Sequence, residues 1–247
     1  MVEKNIVLEV SNLTKRYKDF VAVNNLSLKI SRGEIFGLLG HNGSGKTTTI
    51  ECILGTKKFE KGKVSILGMN PIENRTKIFE KVGVQLQQSS YQDKIKVKEI
   101  CEMTEALYTK PNNYEDILKD FKLYDKKNNF VFELSGGQKQ KLSVLLALIP
   151  NPEIVFLDEL TTGLDTKARR EIWGYLKKLK AKGISIFLTS HYMDEVEYLC
   201  DRICILKNGN MVICNTPEEV IKSSGRKKLE DAYLYYTDEE ELEYESV

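Results

Sequence analysis

The chain has 247 residues, enough to bury a sizeable core in one large domain or two small ones. It is 41% hydrophobic and 30% charged, a balance that folds rather than stays disordered. A net charge of +1 gives no basic footprint, so no nucleic-acid partner is expected.

The opening "MVEKNIVLEV" is too polar for a secretory signal. Short apolar segments of strand type follow: "IVLEV", "NLSLKI", "EIFGLLG" and "KVSILG". After "KVGVQL" the pattern changes. Between Val97 and Ile149, "KEICEMTEALY", "NYEDILKDFKLY" and "GGQKQKLSVLLALI" read as helices with no strand among them. Strands and helices then alternate. "EIVFLDE" precedes a helix from Thr166 to about Lys182, with Ala168, Ile172, Leu176 and Leu179 on one face and Gly183 as its stop. "ISIFLTS", a helix from Tyr192 to about Leu199, and "RICILKNG" complete the series. Continuous runs such as "IVFL" and "ISIFL" suit parallel strands covered on both faces.

These features predict an α/β fold: a mainly parallel sheet between helices, with β-rich segments at the N-terminus and a helical subdomain inserted at about residues 90–149. The acidic tail "TDEEELEYESV" reads as a solvated end. The longest apolar run, "LSVLLALIP", is about half of what crosses a bilayer, so any membrane role is expected to need a partner chain. Cys52, Cys101, Cys200, Cys204 and Cys214 make no CxxC pair and no zinc spacing; reduced thiols of a cytosolic protein are expected.

Between a strand and a helix lies Gly40-His41-Asn42-Gly43-Ser44-Gly45-Lys46-Thr47, which fits G-x-x-x-x-G-K-[ST]. Glycines leave backbone N–H groups free to converge on phosphate, and the helix start adds roughly half a positive charge. Lys46 suits the β and γ phosphates, and the Thr47 hydroxyl suits Mg²⁺. "IVFLDE" ends in Asp158 and Glu159, where a second magnesium contact and a general base of such NTPases belong. Asp158 is expected to reach the metal through water, and Glu159 to activate the attacking water.

A second small loop, Leu134-Ser135-Gly136-Gly137-Gln138, has a chance occurrence below about one in a thousand chains. With it the chain resembles the ATP-binding cassette (ABC) family from about Leu8 to about Pro217, with the motifs in family order. The resemblance implies a P-loop NTPase core, an N-terminal antiparallel β-subdomain and the helical insert, together forming a cassette over residues 1–225. Residues 226–247 would add a C-terminal helix and the acidic tail. It implies ATP and Mg²⁺ as cofactors, with residues 40–48, including His41, Asn42 and Thr48, lining the nucleotide. Tyr17 matches the aromatic that stacks on adenine. Gln87, with Gln85 and Gln88 as neighbours, matches the glutamine that touches Mg²⁺, because "KVKE" stands at the family's distance from it. "TGLD", ending at Asp165, matches the loop that communicates across a dimer, and His191 matches the histidine at the γ-phosphate.

In such a family, Ser135, Gly136, Gly137 and Gln138 would close over ATP held by a partner cassette, in a homodimer or a paired cassette chain. Hydrolysis by Glu159, with His191 and Gln87, would then drive export through an integral membrane permease subunit. The chain would sit at the cytoplasmic face of the membrane. "ELTTGLDTKARREIW" and "TSHYMDEVEYLCDRICIL" resemble the drug- and antibiotic-export branch. The alternatives are a soluble ABC-type ATPase acting on ribosomes or DNA and a regulatory module with little turnover. The latter follows from Leu160, which replaces the family's usual proline and is expected to loosen the turn that aims Glu159. Lys141 stands where an arginine is commoner.

Overall fold

The computed structural model describes residues 5–86, 91–92 and 94–238. Strands β1 (Ile6–Tyr17) and β2 (Phe20–Ser31) form a long antiparallel hairpin. β3 (Ile35–Leu39) leaves it and feeds α1 (Lys46–Ile53). β4 (Lys61–Ile66) returns to β1, giving an antiparallel sheet of order β2-β1-β4. α2 (Arg75–Phe79) leads to β5 (Val82–Gln85).

A helical stretch follows: α3 (Val97–Glu105), α4 (Tyr114–Asp120) and α5 (Gly136–Leu148), with two short 3-10 turns and no strand among the described residues. β6 (Ile154–Asp158), α6 (Thr166–Ala181), β7 (Ser185–Ser190), α7 (Met193–Leu199) and β8 (Arg202–Lys207) then alternate. β9 (Asn210–Asn215), α8 (Pro217–Ser224) and α9 (Leu229–Thr237) end the described chain.

The second sheet has the order β5-β6-β7-β3-β8-β9, with β9 antiparallel to β8 and the other pairs parallel. Every residue of β3, β6 and β7 is buried, as strands covered on both faces must be. Period-two alternation divides their side chains between two cores. Ile35, Leu39, Val155, Leu157, Ile186, Leu188, Ile203 and Ile205 face the helical side. Phe36, Leu38, Ile154, Phe156, Phe187, Cys204 and Leu206 face the core shared with α1 and the antiparallel sheet. Phe187 sits between two rings there, 5.8 Å from Phe36 and 5.5 Å from Phe156.

β8 and β9 are joined by Asn208 and Gly209, at φ 49° and 76°. Two positive φ values are what a type I′ hairpin turn requires, and Asn-Gly supplies them at low cost. The turn reaches back to the first phosphate loop. Gly209 N–H donates to the Ser44 carbonyl at 3.0 Å, and the Gly209 carbonyl accepts from Asn24 N–H at 2.8 Å. The hairpin thereby ties that loop to the antiparallel sheet.

Truncating Phe187 empties the centre of an aromatic row. Phe187→Ala is expected to cost about 3–5 kcal/mol of stability. A shift of the urea midpoint equivalent to less than about 1 kcal/mol would show that this row is not central to the core.

Candidate functional site

β3, β6 and β7 end side by side, and their carboxyl ends carry the chemistry. This is where ligands bind in open α/β sheets. The loop after β3 needs glycine at two points. A Cβ on Gly40 would lie 2.2 Å from Ser44 Oγ and 2.7 Å from the Leu206 carbonyl oxygen. Gly45 has φ 107°, and its Cβ would lie 2.3 Å from the Ala22 carbonyl oxygen. The loop therefore folds tightly over the start of α1, whose first turn has no side-chain cap. Asn42 and Gly43 are exposed, and His41 and Thr48 are half-buried. Ser44 is buried, and its hydroxyl has no hydrogen-bond partner among the described residues. A glycine cradle, an uncapped helix start and an orphaned hydroxyl fit a polyphosphate.

Lys46 is 4% exposed. Its ammonium donates to the Gly40 carbonyl at 2.7 Å and the His41 carbonyl at 3.2 Å. It also lies 3.5 Å from the Glu159 carboxylate. Thr47 Oγ1 donates to Asp158 Oδ2 at 3.3 Å, so the hydroxyl and the acid expected at the metal already adjoin. Burial, aided by the charge of Glu159, raises the Asp158 carboxyl above its ordinary value; the Thr189 and Thr47 hydroxyls and Lys46 oppose this.

Glu159 has φ 49°, a left-handed backbone that costs a non-glycine residue on the order of 1–3 kcal/mol. Contacts on both sides hold it there, among them a bond from its N–H to the Thr189 carbonyl at 3.2 Å. Its N–H donates to Thr189 Oγ1 at 3.0 Å, and the next residue, Leu160, is buried in the helical-side core. Leu160 thus packs the turn into the core, where a proline would stiffen it. The Glu159 carboxylate points between Lys46 and His191, whose Nδ1 is 3.8 Å away.

Tyr17 ends β1 with its ring 40% exposed, and the Lys15 and Lys57 ammonium groups lie 5.0 and 5.5 Å from its centroid. Lys57 in turn pairs with Glu51 of α1 at 2.8 Å. Gln87 lies outside the described residues; Gln85 is buried, and its amide donates to the Leu86 carbonyl.

The second loop belongs to a different element. Ser135 caps α5 in a reciprocal box: Ser135 Oγ accepts from Gln138 N–H at 3.3 Å, and Gln138 Oε1 accepts from Ser135 N–H at 2.9 Å. Ser135 and Gly136 are exposed, and Gly137 stands close to Ala168 and Leu164, beside the "TGLD" turn. Asp165 caps α6 by accepting from Ala168 N–H at 2.8 Å. The two glycine loops thus open different helices, α1 and α5.

Residues 23–162 match the ABC transporter family. The chain belongs to that family. It is an ATP-binding cassette and an ATPase. Nod factor export ATP-binding protein I of Burkholderia orbicola is 36% identical over 222 residues, spanning 87% of this chain and 73% of that protein. Its namesake from Rhizobium etli is 37% identical over 221 residues, spanning 87% and 69%. The probable multidrug ABC transporter ATP-binding protein YbhF of Escherichia coli is 33% identical over 230 residues, spanning 91% of this chain and 40% of that protein. A solved ATP-binding subunit of an ABC transporter superposes with a TM-score of 0.86 at 26% identity, over 94% of this chain and 99% of its own. A dimeric cassette in a post-hydrolysis state, bound to ADP and phosphate, gives 0.76 at 27% identity, over 85% and 98%. Both sheets of the cassette are those of a P-loop NTPase core and its antiparallel subdomain.

Two supports of the cassette's site escape the motifs. Thr189 donates to Asp158 Oδ1 while accepting from Glu159, so one hydroxyl fixes both acids. Glu195 is 3% exposed and takes two donors: Trp173 Nε1 from α6 at 2.9 Å and the Ser190 hydroxyl at 2.6 Å. Ser190 Oγ also accepts from Tyr192 N–H at 3.0 Å, which pins the chain on both sides of His191. Neither residue has a sequence signal beyond standing near "SH".

Burial raises the Glu195 carboxyl above its ordinary 4.5, so folding favours its protonated form. The stability it contributes is present at low pH and is lost as pH rises from 4.5 through the raised value. Glu195→Gln carries no proton to lose. Its stability relative to the parent is expected to improve as pH rises above about 4.5 through the raised value. Parallel urea midpoints for both proteins across that range would contradict the assignment.

Proposed function

We propose that this cassette powers export through a separate membrane permease, closing head to tail with a second cassette around two ATP molecules. The observation that carries this reading is the meeting of Lys46, Glu159 and His191 around one carboxylate, while Ser135 and Gly136 stand exposed at the start of a different helix, α5. One chain supplies the phosphate cradle, and the exposed loop is free to cover a partner's ATP.

Residues 40–48 bind the phosphates, and Lys46 transfers its ammonium from the loop carbonyls to them. Tyr17 offers its ring to the adenine. Thr47 and Asp158, with Gln87, are the residues that would hold Mg²⁺, which neutralises phosphate charge when bound. Glu159 takes the proton of the attacking water; this kind of base catalysis is typically worth about 10²–10⁴ in rate. His191 holds Glu159 and the γ-phosphate in line. From a partner chain, Ser135, the Gly136 and Gly137 backbone and Gln138 bind the same γ-phosphate. Its cleavage removes the contact that keeps the two chains together.

Export is supported by the names of the relatives, which are export and multidrug ATP-binding proteins. No helix among the described residues is long and apolar enough to cross a membrane, which fits a division of labour with a permease at the cytoplasmic face. The exposed apolar side chains Leu86, Met103, Leu107 and Phe132, on or beside the helical insert, suit such a docking surface.

Glu159→Gln is expected to bind ATP, to lose hydrolysis by at least about 10²-fold and to accumulate as an ATP-bound dimer. Wild-type turnover in this variant would remove Glu159 from the role of base. Ser135→Arg is expected to bind ATP normally as a monomer and to form no ATP-dependent dimer by light scattering. An intact dimer would show that this loop does not act across the interface.

A further inference from the structure

Five cysteines lie among the described residues, and two of them face each other. Cys204 on β8 and Cys214 on β9 are Cα partners in the antiparallel register. Directly opposed antiparallel residues have Cα atoms about 4.5 or about 5.5 Å apart, within the range a disulfide spans. Cys204 is fully buried, whereas Cys214 is partly open on the edge strand of the sheet. Arg202 Nη2 donates to Cys214 Sγ at 3.6 Å, while Arg202 Nη1 lies 3.1 Å from Glu34 Oε1. The guanidinium is thus fixed from one side and presented to the sulfur on the other.

We propose that Cys204 and Cys214 form a cross-strand dithiol site that reacts with low-molecular-weight disulfides, with Cys214 as the attacking sulfur. The environments of the other thiols support the selectivity. The Cys204 thiol, donating to Cys214, and the Arg202 charge hold Cys214 down at about 7. Burial pushes Cys52 up to about 11 and Cys101 up to about 12, and it raises Cys200 far above its ordinary value. Cys204 is raised by the same hydrogen bond and by burial, which assigns it the resolving role.

In the first step, Cys214 thiolate attacks one sulfur of the small disulfide, whose S–S bond breaks to release one small thiolate. In the second, Cys204 gives up its proton, and its sulfur attacks Cys214 Sγ in the mixed disulfide, releasing the second small thiolate. The protein is oxidised by two electrons, the small disulfide is reduced to two thiols, and the two protein protons end on them. The link would close the hairpin whose Asn208-Gly209 turn braces Ser44 of the phosphate loop.

The test uses native full-length protein and glutathione disulfide. Mass spectrometry is expected to show loss of two hydrogens. Trypsin cuts after Lys207, between the two cysteines, so the link appears as a disulfide-joined peptide pair. Cys204→Ser is expected to stop at a glutathione adduct on Cys214, and Cys214→Ser to give neither product. Limiting N-ethylmaleimide is expected to alkylate Cys214 at least about tenfold faster than the other four. Unchanged ATP binding by both variants verifies their fold. A wild-type protein that keeps only an adduct would overturn the pairing. First alkylation elsewhere, or oxidation of Cys214→Ser like the parent, would overturn the choice of Cys214.

Discussion

Asp158 lies opposite Thr189 across the parallel pair of β6 and β7, and that one threonine hydroxyl serves two groups. It donates to the Asp158 carboxylate and accepts from the Glu159 backbone. The register of two buried strands therefore sets where both acids stand. A slip of one residue would turn every side chain of the strand to the other face. It would carry Phe156 and Phe187 out of their aromatic row at the same time. Core packing and site geometry are consequently one constraint, written in the period-two alternation of β3, β6 and β7.

The same ends gather charges that water would otherwise stabilise. Lys46 and Glu159 are both nearly buried and lie 3.5 Å apart. Breaking a buried pair by removing one partner typically costs about 3–5 kcal/mol, because the remaining charge is stranded. The left-handed backbone of Glu159 is held by Thr189 on one side and by the buried Leu160 on the other. The Lys46 ammonium is kept by two loop carbonyls, which are weaker partners for it than phosphate oxygens. Lys46 and Glu159 are thus both positioned by contacts within the chain itself.

The parts of this design with a strong local signature were legible in the sequence. Runs such as "IVFL" and "ISIFL" marked buried strands, and G-x-x-x-x-G-K-T marked the turn into α1. β9 was missed although Asn208-Gly209, following "ICILK", is a strong hairpin signal. Its side chains are exposed or half-buried, so no alternation of apolar and polar residues announces it. Thr189 and Glu195 were missed for another reason. Their importance comes from neighbours on other elements, 31 residues away for the Thr189–Asp158 bond and 22 for Trp173–Glu195. Leu160 departs from the family's usual proline, and its burial in the helical-side core is something only tertiary contact could reveal.

The two glycine loops differ in what they do to a helix. The first leaves the start of α1 uncapped, whereas the second caps α5 with its own serine and glutamine. Each helix start carries roughly half a positive charge. On the proposed reading, the start of a partner's α5 approaches the start of this chain's α1. Two like partial charges repel, so the closed pair is unfavourable with nothing between them. A polyphosphate placed there turns both interactions attractive, because anions are stabilised at helix N-termini. Ser135 Oγ accepts from Gln138 N–H, which leaves its own O–H free to donate outward to that phosphate. On that reading, a polyphosphate between the two helix starts favours closure. Loss of the terminal phosphate, the group both helix starts share, then favours opening.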